Sequence, residues 1–114
     1  MITTDASATH REGAPLVRIA VPHERLADFC RRTLIRRLAL FGSVLRDDFS
    51  PASDVDVLVE FEPEARIGLM TLAGIEIELT HLLGRNVEVH TVKGLNPRFR
   101  DAVLAQALWE YERA

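Results

Sequence analysis

The chain has 114 residues, enough for one domain with its own core and too few for a separate substrate domain beside it. About half is apolar and about a quarter charged, with a formal net charge of −3 and no apolar run long enough for a membrane helix. Such a balance reads as a soluble globular domain and argues against a nucleic-acid polymerase, whose template and primer need a large basic channel.

The opening stretch MITTDASATHREG lacks an apolar h-region and carries acids, so it reads neither as a secretory signal nor as a transit peptide, and a cytoplasmic protein is expected. Residues 1–15 show no periodicity and are expected to be a flexible tail, leaving 16–114 as a single domain. From Pro22, PHERLADFCRRTLI sets Leu26, Phe29, Cys30 and Thr33 on one side and Arg25, Asp28, Arg31 and Arg32 on the other, the pattern of an amphipathic helix with proline near its start. Cys30, the single cysteine, reads as a small buried hydrophobe. The run of arginines to Arg37 reads first as a solvated helix face, with contact to phosphate or an acidic partner as the alternative.

Arg37 to Phe41 is a short apolar run stopped by glycine, as in a buried strand. The Gly42-Ser43 turn follows, with a brief helix expected over Ser43 to Asp48 and a turn over Phe49 to Ser53. Asp54 to Phe61 alternates, with Val55, Val57, Val59 and Phe61 on one face and Asp54, Asp56, Leu58 and Glu60 on the other. Ile67 to Leu83 ends at Gly84 and reads as a helix with a glycine C-cap, although Ile75 to Leu79 also alternates like a strand. Asn86 to Thr91 is strand-like, and Asn96-Pro97 opens a closing helix whose apolar side is Val103, Leu104, Ala107, Leu108 and Tyr111. The order helix, strand, strand, helix, strand, helix describes a small mixed α/β (α+β) layer, three or four strands with helices packed on them.

Chemistry concentrates on the second strand. Residues two apart on a strand project to the same side, so Asp54 and Asp56 bring together like charges that are costly without a cation. Glu88, facing away from Val87 and Val89, is placed to join them. Magnesium takes oxygen ligands and is held by a few carboxylates together with substrate phosphates. Gly42 leaves room for close approach, and Ser43 offers a hydroxyl beside a backbone donor, so the turn suits phosphate. Arg46 reads equally as a nucleotide contact or as a partner of Asp47, Asp48 or Asp54. Lys93 and Arg98 read as loop residues more than as triphosphate contacts. His81 and His90 have no histidine or cysteine partner at ligand spacing, so each reads as a surface or structural residue, while Trp109 and Tyr111 read as core or interface anchors.

The motif GS-x10-DxD, with Arg46 three residues after Ser43 and Ser53 directly before Asp54, resembles the minimal nucleotidyltransferase domain of the DNA polymerase β superfamily. The likeness runs from about Leu26 to Tyr111. It implies the polymerase-β-like nucleotidyltransferase fold and an MntA-type antitoxin, paired with a HEPN-domain toxin. On that resemblance the chain transfers AMP from ATP to a tyrosine of the toxin RNase and forms a hetero-oligomer with it, without membrane or direct nucleic-acid contact. Asp54, Asp56 and Glu88 would bind Mg2+, as two ions, with Glu88 in place of the usual third aspartate; Gly42, Ser43 and Arg46 would bind the nucleotide. The chain departs from the pattern at Glu88 and at Asp47, where glycine is common. Neutralisation by occlusion alone and transfer to a small molecule are the alternatives.

Overall fold

The computed structural model describes residues 19–46, 49–50 and 52–113. The tail expected at 1–15 lies outside the described residues, as do Asp47 and Asp48.

Helix α1 spans His23–Arg32 and buries Leu26, Phe29 and Cys30 at helical spacing. It ends earlier than the amphipathic pattern suggests. Thr33 folds its hydroxyl back to the Phe29 carbonyl, and Leu34 takes a left-handed φ of 61°, which breaks the helix and releases Ile35 into a strand. Strand β1, Ile35–Phe41, therefore starts two residues before the apolar run. A 3-10 turn at Gly42–Leu45 stands where a brief helix is expected, and β2 follows at Val55–Phe61.

Helix α2, Leu69–Leu83, resolves the ambiguity at Ile75 to Leu79 in favour of helix. Ile75, Leu79 and Leu83 are buried at four-residue spacing, and Gly84 closes the helix in the left-handed conformation at φ 71°. Strand β3 is Val87–Thr91 and helix α3 is Pro97–Gln106, begun by an Asn96 side chain that accepts from the Arg98 amide.

The closing helix is the one element that differs in kind. It stops at Gln106, Ala107 turns extended at ψ 140°, and Leu108–Glu112 forms a fourth strand, β4. Its Leu38 and Leu40 partners on β1 lie opposite Tyr111 and Leu108. Tertiary pairing overrides a helical spacing of Leu104, Leu108 and Tyr111 here. Glu110 is buried in that strand and meets His23 Nε2 at 2.6 Å, which ties β4 to α1.

The sheet order is β3-β2-β1-β4. β1 runs antiparallel to both β2 and β4, while β2 and β3 are parallel and joined through α2. Val55, Val57 and Val59 of β2 join Leu38, Leu40, Val87, Val89 and Leu108 in a core with α1 and α2. Period-2 alternation sends Asp56 and Glu60 of β2 to the other face, with Phe41, Glu88 and His90 of the neighbouring strands.

On the outer side of β3, the amide of Val87 donates to Thr80 Oγ1 and that of Val89 to Glu76 Oε2, at 3.1 and 2.8 Å. Helix α2 thus satisfies strand donors that a sheet edge otherwise leaves open.

Candidate functional site

Asp56 is the second residue of β2, and register fixes its neighbours. Its α-carbon lies opposite Phe41 on β1 and opposite Glu88 on β3. Carboxylates on adjoining positions of a parallel pair lean over the same face.

His90, two residues beyond Glu88 and so on the same side of β3, places Nε2 3.4 Å from Asp56 Oδ1 and 3.4 Å from Glu88 Oε1. One donor atom from each of these three residues falls within 4.8 Å of the others. The Nε2 atom is buried and makes no aligned hydrogen bond, and the imidazole stands edge-on to the Phe41 ring at 5.3 Å between centroids. A buried ring nitrogen beside two carboxylates, without a hydrogen-bond partner, is suited to join them around a cation.

Burial pushes the Asp56 carboxyl above its ordinary range; His90 pulls against it, and Glu88 adds a smaller push upward. Ionised Asp56 therefore gains from any positive charge brought to this face. The side chain is about a quarter exposed and that of Glu88 more than half, so the pair opens to solvent on the Glu88 side.

Gly42 takes φ 77°, and a Cβ built on it would lie 2.5 Å from Asp56 Oδ2. The turn therefore presses directly on the carboxylate, and glycine is required there by both conformation and space. Ser43 follows; its hydroxyl donates to the Asp54 carbonyl at 3.4 Å, linking the turn to the chain entering β2.

Asp54 stands one residue ahead of β2 with an exposed side chain, and among the described residues it is not one of the close donor group. Arg46 closes the turn, its amide donating to the Ser43 carbonyl at 2.9 Å. Lys93 and Arg98 are exposed.

Two residues at the site escape sequence reasoning. His90 carries a signal in hindsight, since NVEVH alternates and puts His90 beside Glu88. Arg85 carries none: its guanidinium reaches back to the carbonyls of Ser50, at 2.7 Å, and Ser53, and lies 4.6 Å from the Phe49 ring. It holds the loop that delivers Asp54.

The arginines before the turn are mostly engaged as a solvated face would be. Arg31 pairs with Asp28, Arg32 with Glu78 and Arg37 with Glu60, and Arg37 also covers the Trp109 ring at 4.2 Å. Tyr111 packs against the core. Cys30 is fully buried, and burial raises its thiol to about 12. No helix among the described residues is long and apolar enough to cross a membrane.

Residues 23–109 match the family model described as a nucleotidyltransferase domain. A candidate protein adenylyltransferase of Methanocaldococcus jannaschii is 35% identical over 74 residues, 65% of this chain and 77% of that protein. A solved structure described as a candidate minimal nucleotidyltransferase superimposes with a TM-score of 0.64 at 36% identity, over 75% of this chain and 86% of the other. At 15% identity the fold alone is shared with a toxin–antitoxin structure holding AMP-PNP, with a TM-score of 0.66 over 82% and 75% of the two chains. The same holds for a complex of the tri-AMPylated Shewanella oneidensis HEPN toxin with its MNT antitoxin, at 0.58 and 15% identity over 80% and 70%. Because that family model spans well over half of its length, the chain belongs to the nucleotidyltransferase domain family.

Proposed function

We propose that this protein is an antitoxin that transfers AMP from ATP to a tyrosine of a partner HEPN-domain toxin, silencing its RNase activity. The observation that carries the reading is the opposition of Asp56 and Glu88 across the parallel strands, directly beneath the Gly42 turn. Relatives named for protein adenylylation, and the fold shared with antitoxin complexes, support the choice of acceptor.

Gly42 lets the triphosphate approach the backbone, and Ser43 offers hydroxyl and amide to its oxygens. Asp54, Asp56 and Glu88 are the residues assigned to Mg2+. The close donors Asp56 and Glu88 fit such a cation, since Asp56 is held in a site that disfavours its lone charge. A cation held by these residues would supply charge neutralisation for the phosphates and for the leaving pyrophosphate.

Glu88, whose carboxylate is exposed, is assigned to accept the proton of the incoming tyrosine hydroxyl. A new bond forms between the tyrosine oxygen and the α-phosphorus. The bridging oxygen between α- and β-phosphorus departs with its electron pair, and pyrophosphate leaves. Arg46 is assigned to the nucleotide.

Intact-mass spectrometry of the cognate toxin incubated with this protein, ATP and Mg2+ tests the reading. The toxin gains the mass of one or more AMP residues, and Asp54→Asn with Asp56→Asn abolishes the gain. A toxin left unmodified at saturating ATP overturns it. The position of Asp54 outside the close donor group favours one second reading, neutralisation by binding alone; the double variant then still protects cells.

A further inference from the structure

We propose that His90 is a third protein ligand of the Asp56 and Glu88 centre, and that its nitrogen gives this site a preference for Mn2+ over Mg2+. The inference rests on the metal-assisted reading above and specifies which ion that centre takes.

Three observations point the same way. Nε2 is equidistant, at 3.4 Å, from Asp56 Oδ1 and Glu88 Oε1, so the nitrogen faces the two oxygens from one side. The atom is shielded from solvent and has no aligned hydrogen-bond partner, although two acceptors flank it. The ring is also held in place: Phe41 packs against it, and Glu76 and Thr80 fix the β3 backbone on both sides of Glu88.

Chemistry then selects among cations. Mg2+ favours an all-oxygen shell and gives up water reluctantly. Mn2+ accepts the same carboxylates, and first-row transition ions generally bind imidazole more readily than alkaline-earth ions do. Replacing one oxygen donor by a buried nitrogen therefore moves the preference from Mg2+ toward Mn2+. With its proton on Nδ1, an imidazole presents the Nε2 lone pair as a metal donor.

The test uses Mn2+ as the probe on the full chain, without nucleotide or toxin. Pulsed electron paramagnetic resonance of bound Mn2+ is expected to show 14N modulation that changes when histidine is labelled with 15N. Affinity for Mn2+ falls at least about tenfold in His90→Gln, whereas Mg2+ affinity changes little. Bound Mn2+ without nitrogen modulation overturns the proposal, as does an equal loss of affinity for both ions. If His90→Gln fails to fold, the labelling comparison on the native chain still decides.

Failure here and failure of the functional reading separate cleanly. Nitrogen coupling in a protein that modifies no toxin removes the proposed activity alone. Toxin modification with no nitrogen coupling removes the role of His90 alone.

Discussion

A methyl group on Gly42 would stand 2.5 Å from the Oδ2 atom of Asp56. The glycine turn and the Asp56 carboxylate thus press on each other, and a side chain added to the turn displaces the acid.

Gly42→Ala is expected to damage both. Its left-handed φ costs a residue with a Cβ roughly 1–2 kcal/mol, and the Asp56 carboxylate must move aside. A displacement of this kind at a reacting centre lowers transfer by about 100-fold. Urea denaturation and single-turnover AMP transfer measure the two effects; unchanged turnover in the variant would show that the close approach plays no part.

Asp56→Asn should stabilise the metal-free protein. The folded state raises the Asp56 carboxyl above 3.8, so its favourable contribution is complete below that value and is lost as pH rises through the folded value. At neutral pH the charge is then a net burden. Asparagine removes it, and Tm rises by a few degrees in chelator. Divalent cation raises the Tm of the native chain, and this increment disappears in the variant.

Cys30 should be inert to alkylation at neutral pH in the folded protein. Its thiol moves from 9.0 to about 12 through burial. A raised value means that folding holds the proton more tightly, so stability is constant below about 9 and declines between 9 and 12. Rapid labelling by iodoacetamide at pH 7.5 without denaturant would contradict the buried placement.

Arg85→Lys keeps the charge but loses the fork that reaches Ser50 and Ser53 and the plane that covers Phe49. The loop before Asp54 then loosens. Limited proteolysis should cut between Phe49 and Ser53 faster, and AMP transfer should fall about tenfold or more, while Tm shifts little. A variant that melts early and transfers normally would assign Arg85 to stability instead.

Much of this was legible because the local signals agreed with the global fold. Val55, Val57 and Val59 alternate, Gly84 caps α2, and Asn96 caps α3, so pattern and structure coincide there. β4 was hidden because Leu104, Leu108 and Tyr111 obey helical spacing, no glycine or proline marks Ala107, and the buried Glu110 breaks the apolar alternation of the strand. Its burial depends on His23, 87 positions away, which no window can supply. The site divides in the same way. Asp56 and Glu88 follow from strand period, whereas their mutual register, which makes them a pair, comes from β2 and β3 lying parallel. His90 lacked a partner in sequence because its partners sit on the same and the neighbouring strand as acids, and Arg85 acts on a loop 35 positions earlier.

The clasp of Glu76 and Thr80 on β3 limits how an acceptor protein can arrive. With the Val87 and Val89 amides already taken, an extended peptide finds no donor ladder for strand addition along the border nearest Glu88. On the proposed reading, an acceptor meets the site through a side chain of its own folded surface and not as a strand added to β3. Selectivity for such a target would then follow the shape around one residue, and not the sequence of a peptide laid across the sheet.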